Sequence, residues 1–490
     1  MERYYLAVDI GASSGRHILG TVKDHKIVLE EIYRFENGLK RKNKQICWDV
    51  ESLCREIKEG MKQCKKLGKI PVSMGIDTWA VDFVLLDEKE QILLDAVGYR
   101  DERTKGMDEK VYEIISQEAL YERTGIQKQI FNTIYQLMAV KESNLDSLKR
   151  ADSLLMIPDY FNYRLTGVKK QEYTNATTTQ LVSPQTGDWD YELIKALGFP
   201  EKLFKPLSMP GTLVGGLSEE IQEEVGFNCK VILPATHDTA SAVMAIPFYS
   251  KQEDLKDNPL YISSGTWSLL GTERPKADCS LKSRKANFTN EGGYEHRVRY
   301  LKNIMGLWMI QSVKAEFHKN GADYSFSQLC EMASMETIPS LVDCNHSMFL
   351  APESMILAIQ DYCKIENQEI PQTAGEIAAV IYNSLAVCYK EAVEELESIT
   401  GETYPVIHVV GGGSHASYLN QLTAEFTKKT VYAGPGEATA IGNLLAQMIE
   451  AGEYDGLKAA REAVLHSFAI MKYVPITQIQ GGEFNDPKIV

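Results

Sequence analysis

The chain contains neither a Walker phosphate loop, G-x-x-x-x-G-K-[ST], nor a G-x-G-x-x-G dinucleotide fingerprint, so the two commonest nucleotide folds are not signalled. No uninterrupted apolar stretch approaches the 18 residues of a membrane-spanning helix. The start, Met1 to Leu6, also lacks a basic region followed by an apolar one. The nine cysteines (47, 54, 64, 229, 279, 330, 344, 363 and 388) are scattered and odd in number, with no C-x-x-C pair and no His/Cys spacing of a zinc site. They read as small buried hydrophobes of a reducing compartment, and a cytoplasmic protein is expected. Positive charge is short as well. Lysine and arginine total 52 against 67 acidic residues, and the formal charge of -15 repels a phosphate backbone or an anionic membrane. Neither nucleic acid nor a membrane is therefore an expected partner. A small anionic ligand such as ATP remains compatible, because a local nest of N–H groups and a metal ion override the global field. No low-complexity tract occurs, and nothing in the sequence sets the oligomeric state.

What is present is a strand that runs into a glycine turn, twice. Leu6-Ala7-Val8-Asp9-Ile10-Gly11-Ala12-Ser13-Ser14-Gly15-Arg16 returns in weaker form as Leu260-Tyr261-Ile262-Ser263-Ser264-Gly265-Thr266-Trp267-Ser268-Leu269-Leu270. Gly265 answers Gly11, Thr266 answers Ala12 and Ser268 answers Ser14. Glycine lets the backbone come close to an anion and lets successive N–H groups converge on it. One such turn is ordinary hairpin punctuation; two matched copies point to a nucleotide site.

With 490 residues, 44% of them hydrophobic, the chain has core enough for two large domains. Strand patterns over 4–10, 16–21, 26–35 and 72–86 alternate with helical stretches over 50–67 and 107–124, an α/β pattern. Pro158 suits the first turn of a helix over 156–165 and Gly167 its end. The charged stretch 250–259 is the expected domain boundary, giving domains over 1–249 and 259–454, then a terminal helix and loose tail over 455–490. In the second half a helix is expected over 303–317, another over 373–400, a helix from Ser414 after Gly411-Gly412-Gly413, and one over 438–450.

Several side chains suit chemistry, each with a plainer alternative. Asp9 ends a strand beside the first glycine turn, where a carboxylate can hold magnesium or merely cap the turn. Arg16 is a phosphate clamp or a surface arginine. Asp238, in Pro234-Ala235-Thr236-His237-Asp238-Thr239-Ala240-Ser241-Ala242, is the carboxylate best suited to be a general base, or else a helix N-cap. In the alternating run 75–83, Asp77, Thr78, Trp79 and Asp82 face a polyol, or else Trp79 belongs to the core and the aspartates to a solvated turn. The Gly411 to Gly413 turn offers backbone N–H groups to a phosphate or ribose, or only close packing.

These motifs stand in order between residues 5 and 450 with Tyr99-Arg100-Asp101, Pro158-Asp159-Tyr160-Phe161, Tyr173-Thr174-Asn175-Ala176-Thr177-Thr178-Thr179-Gln180 and Lys302-Asn303-Ile304-Met305-Gly306-Leu307-Trp308. Together they resemble the FGGY carbohydrate kinases, of the superfamily that includes actin and the heat-shock chaperones. The resemblance implies an α/β protein of two ribonuclease-H-like domains around a central cleft. It implies transfer of the γ-phosphoryl group of ATP, with Mg2+, to O1 of a ketose: L-rhamnulose first, with L-fuculose or a pentulose as the alternative. Carried onto this chain, it makes Asp238 the base and places Ala80, His237, Thr239, Asn303, Asp77 and Trp79 toward the sugar. Ala12, Ser13, Ser14, Gly15, Arg16, Thr266, Gln311, Gly411, Gly412 and Gly413 fall to the nucleotide, and Asp9 to the metal. Ala80 departs from the family pattern, in which a glycine is expected near the sugar. A non-enzymatic sugar or nucleotide sensor is the alternative from another class; it needs no proton acceptor opposite a metal site.

Overall fold

The computed structural model describes residues 2–247, 259–476 and 488–489. The chain forms two compact units that interleave along the sequence: 1–245, 273–300 and 439–467 in the first, 246–272, 301–438 and 468–490 in the second. Packing therefore does not follow a linear split, since two stretches of the second half belong to the first unit. The expected boundary over 250–259 falls, up to residue 258, outside the described residues.

The first unit is built on a six-stranded sheet of β1 (Tyr4–Ile10), β2 (Ser14–Lys23), β3 (Lys26–Glu36), β4 (Pro71–Thr78), β5 (Leu213–Gly216) and β6 (Lys230–Ile232), in the order β5-β6-β4-β1-β2-β3. β1 runs antiparallel to β2 and parallel to β4. Leu6, Ala7, Val8 and Ile10 are all fully buried because both faces of this central strand are covered, which is why β1 reads as an apolar run without alternation. The helix Val50–Lys66 starts where the Asp49 carboxylate accepts the Ser52 N–H and turns Leu53, Cys54, Ile57, Met61 and Cys64 into the core, an i, i+3/i+4 stripe.

Two expected elements are each split. The run over 72–86 is β4 followed by a turn and the strand Phe83–Leu86, which pairs with Ser153–Met156. The helix over 107–124 is two, Met107–Tyr112 and Gln117–Thr124, because Ser116 caps a new start by accepting the Ala119 N–H. The helix Ile157–Thr166 has Pro158 in its first turn and stops at Gly167, φ +74°.

The second sheet has eight strands, six of which repeat the plan: β7 (Leu260–Ser264), β8 (Trp267–Arg274), β9 (Val298–Met305), β10 (Val406–Val410), β11 (Thr430–Ala433) and β12 (Met471–Tyr473), ordered β9-β8-β7-β10-β11-β12, with Thr289–Gly292 added beyond β9 and Lys488–Ile489 beyond β12. Each sheet thus contains a hairpin flanked by a further strand on one side and by two parallel strands and an antiparallel one on the other. The helix Ala374–Thr400 begins with a capping box of Thr373 and Glu376 and ends at Gly401, as its sequence indicates.

The region expected as a helix over 303–317 is instead the end of β9 and the helix Trp308–Lys319, broken at Gly306. A Cβ at Gly306 would stand 2.6 Å from the Ser268 backbone nitrogen, so the chain must cross β8 closely there. Asn303 lies on the strand. After Gly411 comes a 3-10 turn, Gly412–His415, and the α-helix starts at Ser417 and not at Ser414. The tail holds the helix Gly456–Ser467 and β12; residues 477–487 and 490 lie outside the described set. Among the described residues no helix is long and apolar enough to cross a membrane.

Candidate active site

Register alone brings the first charges together. On β1, Asp9 stands opposite Arg16 of β2 on one side and Asp77 of β4 on the other. Arg16 donates from Nε and Nη2 to Asp9 Oδ2 at 3.0 and 2.8 Å, so Arg16 is the partner of the metal candidate and not a bare surface cation. Beyond β4, Thr78 N–H donates to Thr236 O at 2.9 Å and the two segments bridge at Thr78 and His237, which sets the 236–238 segment beside Asp77. That segment is anchored by Glu172, whose Oε2 accepts from Thr236 Oγ1 at 2.6 Å.

Asp77 is closed to solvent, and its Oδ2 accepts from Asn443 Nδ2 at 2.6 Å. Burial, then the neighbouring Asp9 charge, pushes its carboxyl well above the ordinary range. Asn443 belongs to the helix Ala438–Glu450, which continues the polar spine through Gln447 Nε2 to Leu6 O and receives Ser73 Oγ on Gln447 Oε1. Gly442 of that helix lies so close to the helix Asp238–Met244 that an added Cβ would stand 1.8 Å from Ser241 O. Sequence inspection missed Asn443, Gln447 and Glu172. Their only signal is that polar residues interrupt otherwise apolar or hydroxyl-rich runs.

Asp238 is the first helical residue, with His237 as the cap position, so its carboxylate is not a helix N-cap. Its side chain is 32% exposed, yet the carboxyl is deep enough for desolvation to dominate: burial first, and Asp9 second, push it up to about 7. Oδ1 accepts from Thr239 N–H at 2.6 Å and from Thr239 Oγ1 at 3.2 Å, whereas no described protein group bonds Oδ2. A carboxylate with one oxygen held and the other open, poised near neutrality, is suited to take a proton.

The 77–82 segment is mixed. Trp79 is buried, packed against Trp48 with ring centroids 4.0 Å apart and planes tilted by 33°, and donates from Nε1 to Asp82 Oδ2 at 3.0 Å, the arrangement of a core residue. Asp82 is buried too, pushed up to about 6 by desolvation. Ala80 is half-buried, and its carbonyl accepts the Asp82 N–H at 2.9 Å across a turn whose centre, Val81, sits at φ +66°. A positive φ is strained for a β-branched residue; Thr133 Oγ1 and Gln136 Nε2, both donating to Val81 O, hold it there.

In the first glycine turn Ala12 and Ser13 are exposed, while Asn37 braces it by donating to Gly11 O and Ser13 O. Gly15 is a packing glycine: a Cβ would stand 2.1 Å from Phe35 Cζ. In the second unit the equivalent hairpin closes one residue sooner. Ile10 pairs with Gly15, but Ser264 pairs with Ser268, so the ladder makes Ser268 the counterpart of Gly15 and not of Ser14. Thr266 and Gln311 do meet, Oγ1 donating to Oε1 at 3.3 Å, because Leu307 and Trp308 N–H donate to Gly265 O and Thr266 O and seat that helix on the turn. Of the glycine triplet, Gly411 (φ +83°) and Gly413 pack against Ser264, and Gly412 alone has open space around it. Among the described residues no group of three or more His, Cys, Asp or Glu is placed to hold a metal, leaving Asp9 as a single-carboxylate candidate.

Residues 4–245 match the N-terminal domain, and residues 260–451 the C-terminal domain, of the FGGY family of carbohydrate kinases. The chain belongs to this family. Among its relatives, a protein of Oceanobacillus iheyensis named rhamnulokinase is 51% identical over 97% of this chain and 99% of its own length. One of Bacillus subtilis with the same name is 46% identical over 96% and 95%. Among solved structures, gluconate kinase from Lactobacillus acidophilus superposes with a TM-score of 0.78 at 16% identity, covering 98% of this chain and 94% of that one. Plasmodium falciparum glycerol kinase with ADP gives 0.72 at 14% identity, covering 97% and 94%. The fold is thus the two-sheet α/β architecture of the sugar kinases.

Proposed function

We propose that the protein transfers the γ-phosphoryl group of MgATP to O1 of L-rhamnulose. The observation that carries the reading is Asp238, with Oδ2 open and its carboxyl pushed up to about 7. Ordinary carboxylates lie near pH 4, too low to compete well for a hydroxyl proton. As O1 attacks phosphorus, its proton passes to Asp238, the bond from the γ-phosphorus to the bridging oxygen breaks, and the electron pair leaves on ADP. Relatives 46% and 51% identical bear the name rhamnulokinase, which supports L-rhamnulose as the ketose.

In this proposal His237, Thr239, Asn303 and Ala80 face the sugar, while the buried Asp77 and Trp79 act from beneath by setting charge and packing. The backbone of Ala12 to Arg16 serves the nucleotide in the first unit, and Thr266, Gln311 and the open Gly412 between Gly411 and Gly413 serve it in the second. Asp9 would hold the Mg2+ that arrives with ATP, and the ion would neutralise phosphate charge there. A cytoplasmic setting agrees with nine unpaired cysteines. Coupled ADP release with L-rhamnulose, L-fuculose and pentuloses tests the assignment: L-rhamnulose is expected to give the highest kcat/KM. Release with none of them abandons the kinase reading, and preference for another ketose reassigns the substrate.

A further inference from the structure

Behind Asp238 lies an ion pair that the reaction as described does not use. Arg299 is fully buried; it donates from Nε to Gly292 O at 2.8 Å and from Nη2 to Glu291 Oε2 at 3.0 Å. The same Nη2 lies 3.1 Å from His237 Nδ1. A guanidinium has no acceptor, so the hydrogen on this contact belongs to Arg299 and Nδ1 must be bare. The imidazole proton is then on Nε2, which stands 3.5 Å from Asp238 Oδ1, a separation of the kind that tightens when substrate binds. Oδ1 already accepts two hydrogens from Thr239. A third donor there leaves Oδ2 as the basic oxygen.

We infer that Arg299, neutralised by Glu291, is a positioning residue that holds His237 as its Nε2–H tautomer and so aims Asp238 Oδ2 at the sugar hydroxyl. His237 is kept neutral by burial and by the Arg299 charge, both of which push it well below its ordinary range. Glu291 Oε2, 3.4 Å from Nδ1, favours the opposite tautomer and prevails only where Arg299 is absent. The other charged groups of this neighbourhood, Asp9, Asp77 and Arg16, act on the carboxylates. The inference rests on Asp238 being the base, but its first test does not require turnover.

Nitrogen-15 NMR of the full chain labelled at histidine, with His237 assigned by difference from His237→Gln, reads the tautomer directly. The native protein is expected to show Nε2 protonated and Nδ1 bare from about pH 6 to pH 9. Nδ1–H in the native protein overturns the inference, whatever the kinase assay shows. In Arg299→Met the proton is expected to move to Nδ1 and kcat to fall about 10- to 100-fold with a smaller change in ketose KM; an unchanged tautomer overturns the role of Arg299. Arg299→Lys, which keeps a cation and a donor, should retain the native tautomer and most of the turnover. Should Arg299→Met not fold, His237 variants decide. His237→Gln keeps an N–H where Nε2–H stands and is expected to exceed His237→Leu in kcat by about tenfold; equal losses overturn the aiming role.

Discussion

At matching ladder positions the two hairpins carry different chemistry. In the first unit Asp9 faces Arg16 and Asp77; in the second Ser263 faces Leu269 and Val410. Strand order, parallel pairing and the turn glycine are shared, yet every charge is confined to the first unit. Burying two carboxylates side by side is tolerated there because Arg16 bonds one and Asn443 the other. The second hairpin has no such load and offers only backbone N–H groups and hydroxyls, the equipment for holding an anion and not for moving a proton. Duplication of a scaffold therefore does not duplicate its charges, and in the proposed reaction the acid–base chemistry falls to the first unit.

The sharpest way to break this comparison is Asp238→Asn. Turnover is expected to fall by about 10² to 10⁴ while the melting temperature and MgATP binding stay near native; retained turnover would return Asp238 to a structural role. Next is the pH profile. A base pushed up to about 7 is protonated and idle below that pH, so kcat/KM of the free enzyme should fall on the acid side of neutrality. Asp9→Asn removes a negative charge that raises Asp238, and the acid limb should move to lower pH as overall activity drops. A limb that stays in place would separate Asp9 from the base electrostatically.

Smaller effects probe packing in each unit. Gly442→Ala forces a methyl toward Ser241 O, a backbone atom that cannot swing away, and should destabilise by about 1–3 kcal/mol in a denaturant titration. A native midpoint would mean that the two helices separate freely. Least of all, Gly412→Ala should stay within about 0.5 kcal/mol, since nothing lies near the added atom. Loss of nucleotide affinity without loss of stability in that variant would mark Gly412 as a backbone contact to ATP.

Much was legible before any coordinates. The first-turn Pro158 and the terminal Gly167 of one helix are local, φ-determined features, and each stands where its residue type indicates. The errors share one cause. Ser116, Gly306 and the Gly412–His415 turn each interrupt an apolar period that simple counting runs through. In the site, Asp9 and Asp238 were visible because one ends an apolar strand beside a glycine turn and the other opens a helix after a loop. Arg299, Glu291, Asn443 and Glu172 were not, because their partners lie far along the chain and no spacing rule connects them.

By itself the sequence determined the repeated strand–turn units, the family and the identity of the carboxylates, since these depend on short-range periodicity and on side-chain chemistry. Tertiary structure alone decided which carboxylate is sealed and which stays open, which oxygen of Asp238 is occupied, and which nitrogen of His237 carries hydrogen. Those properties arise from desolvation and from donors brought in by distant segments, and both exist only once the chain has folded.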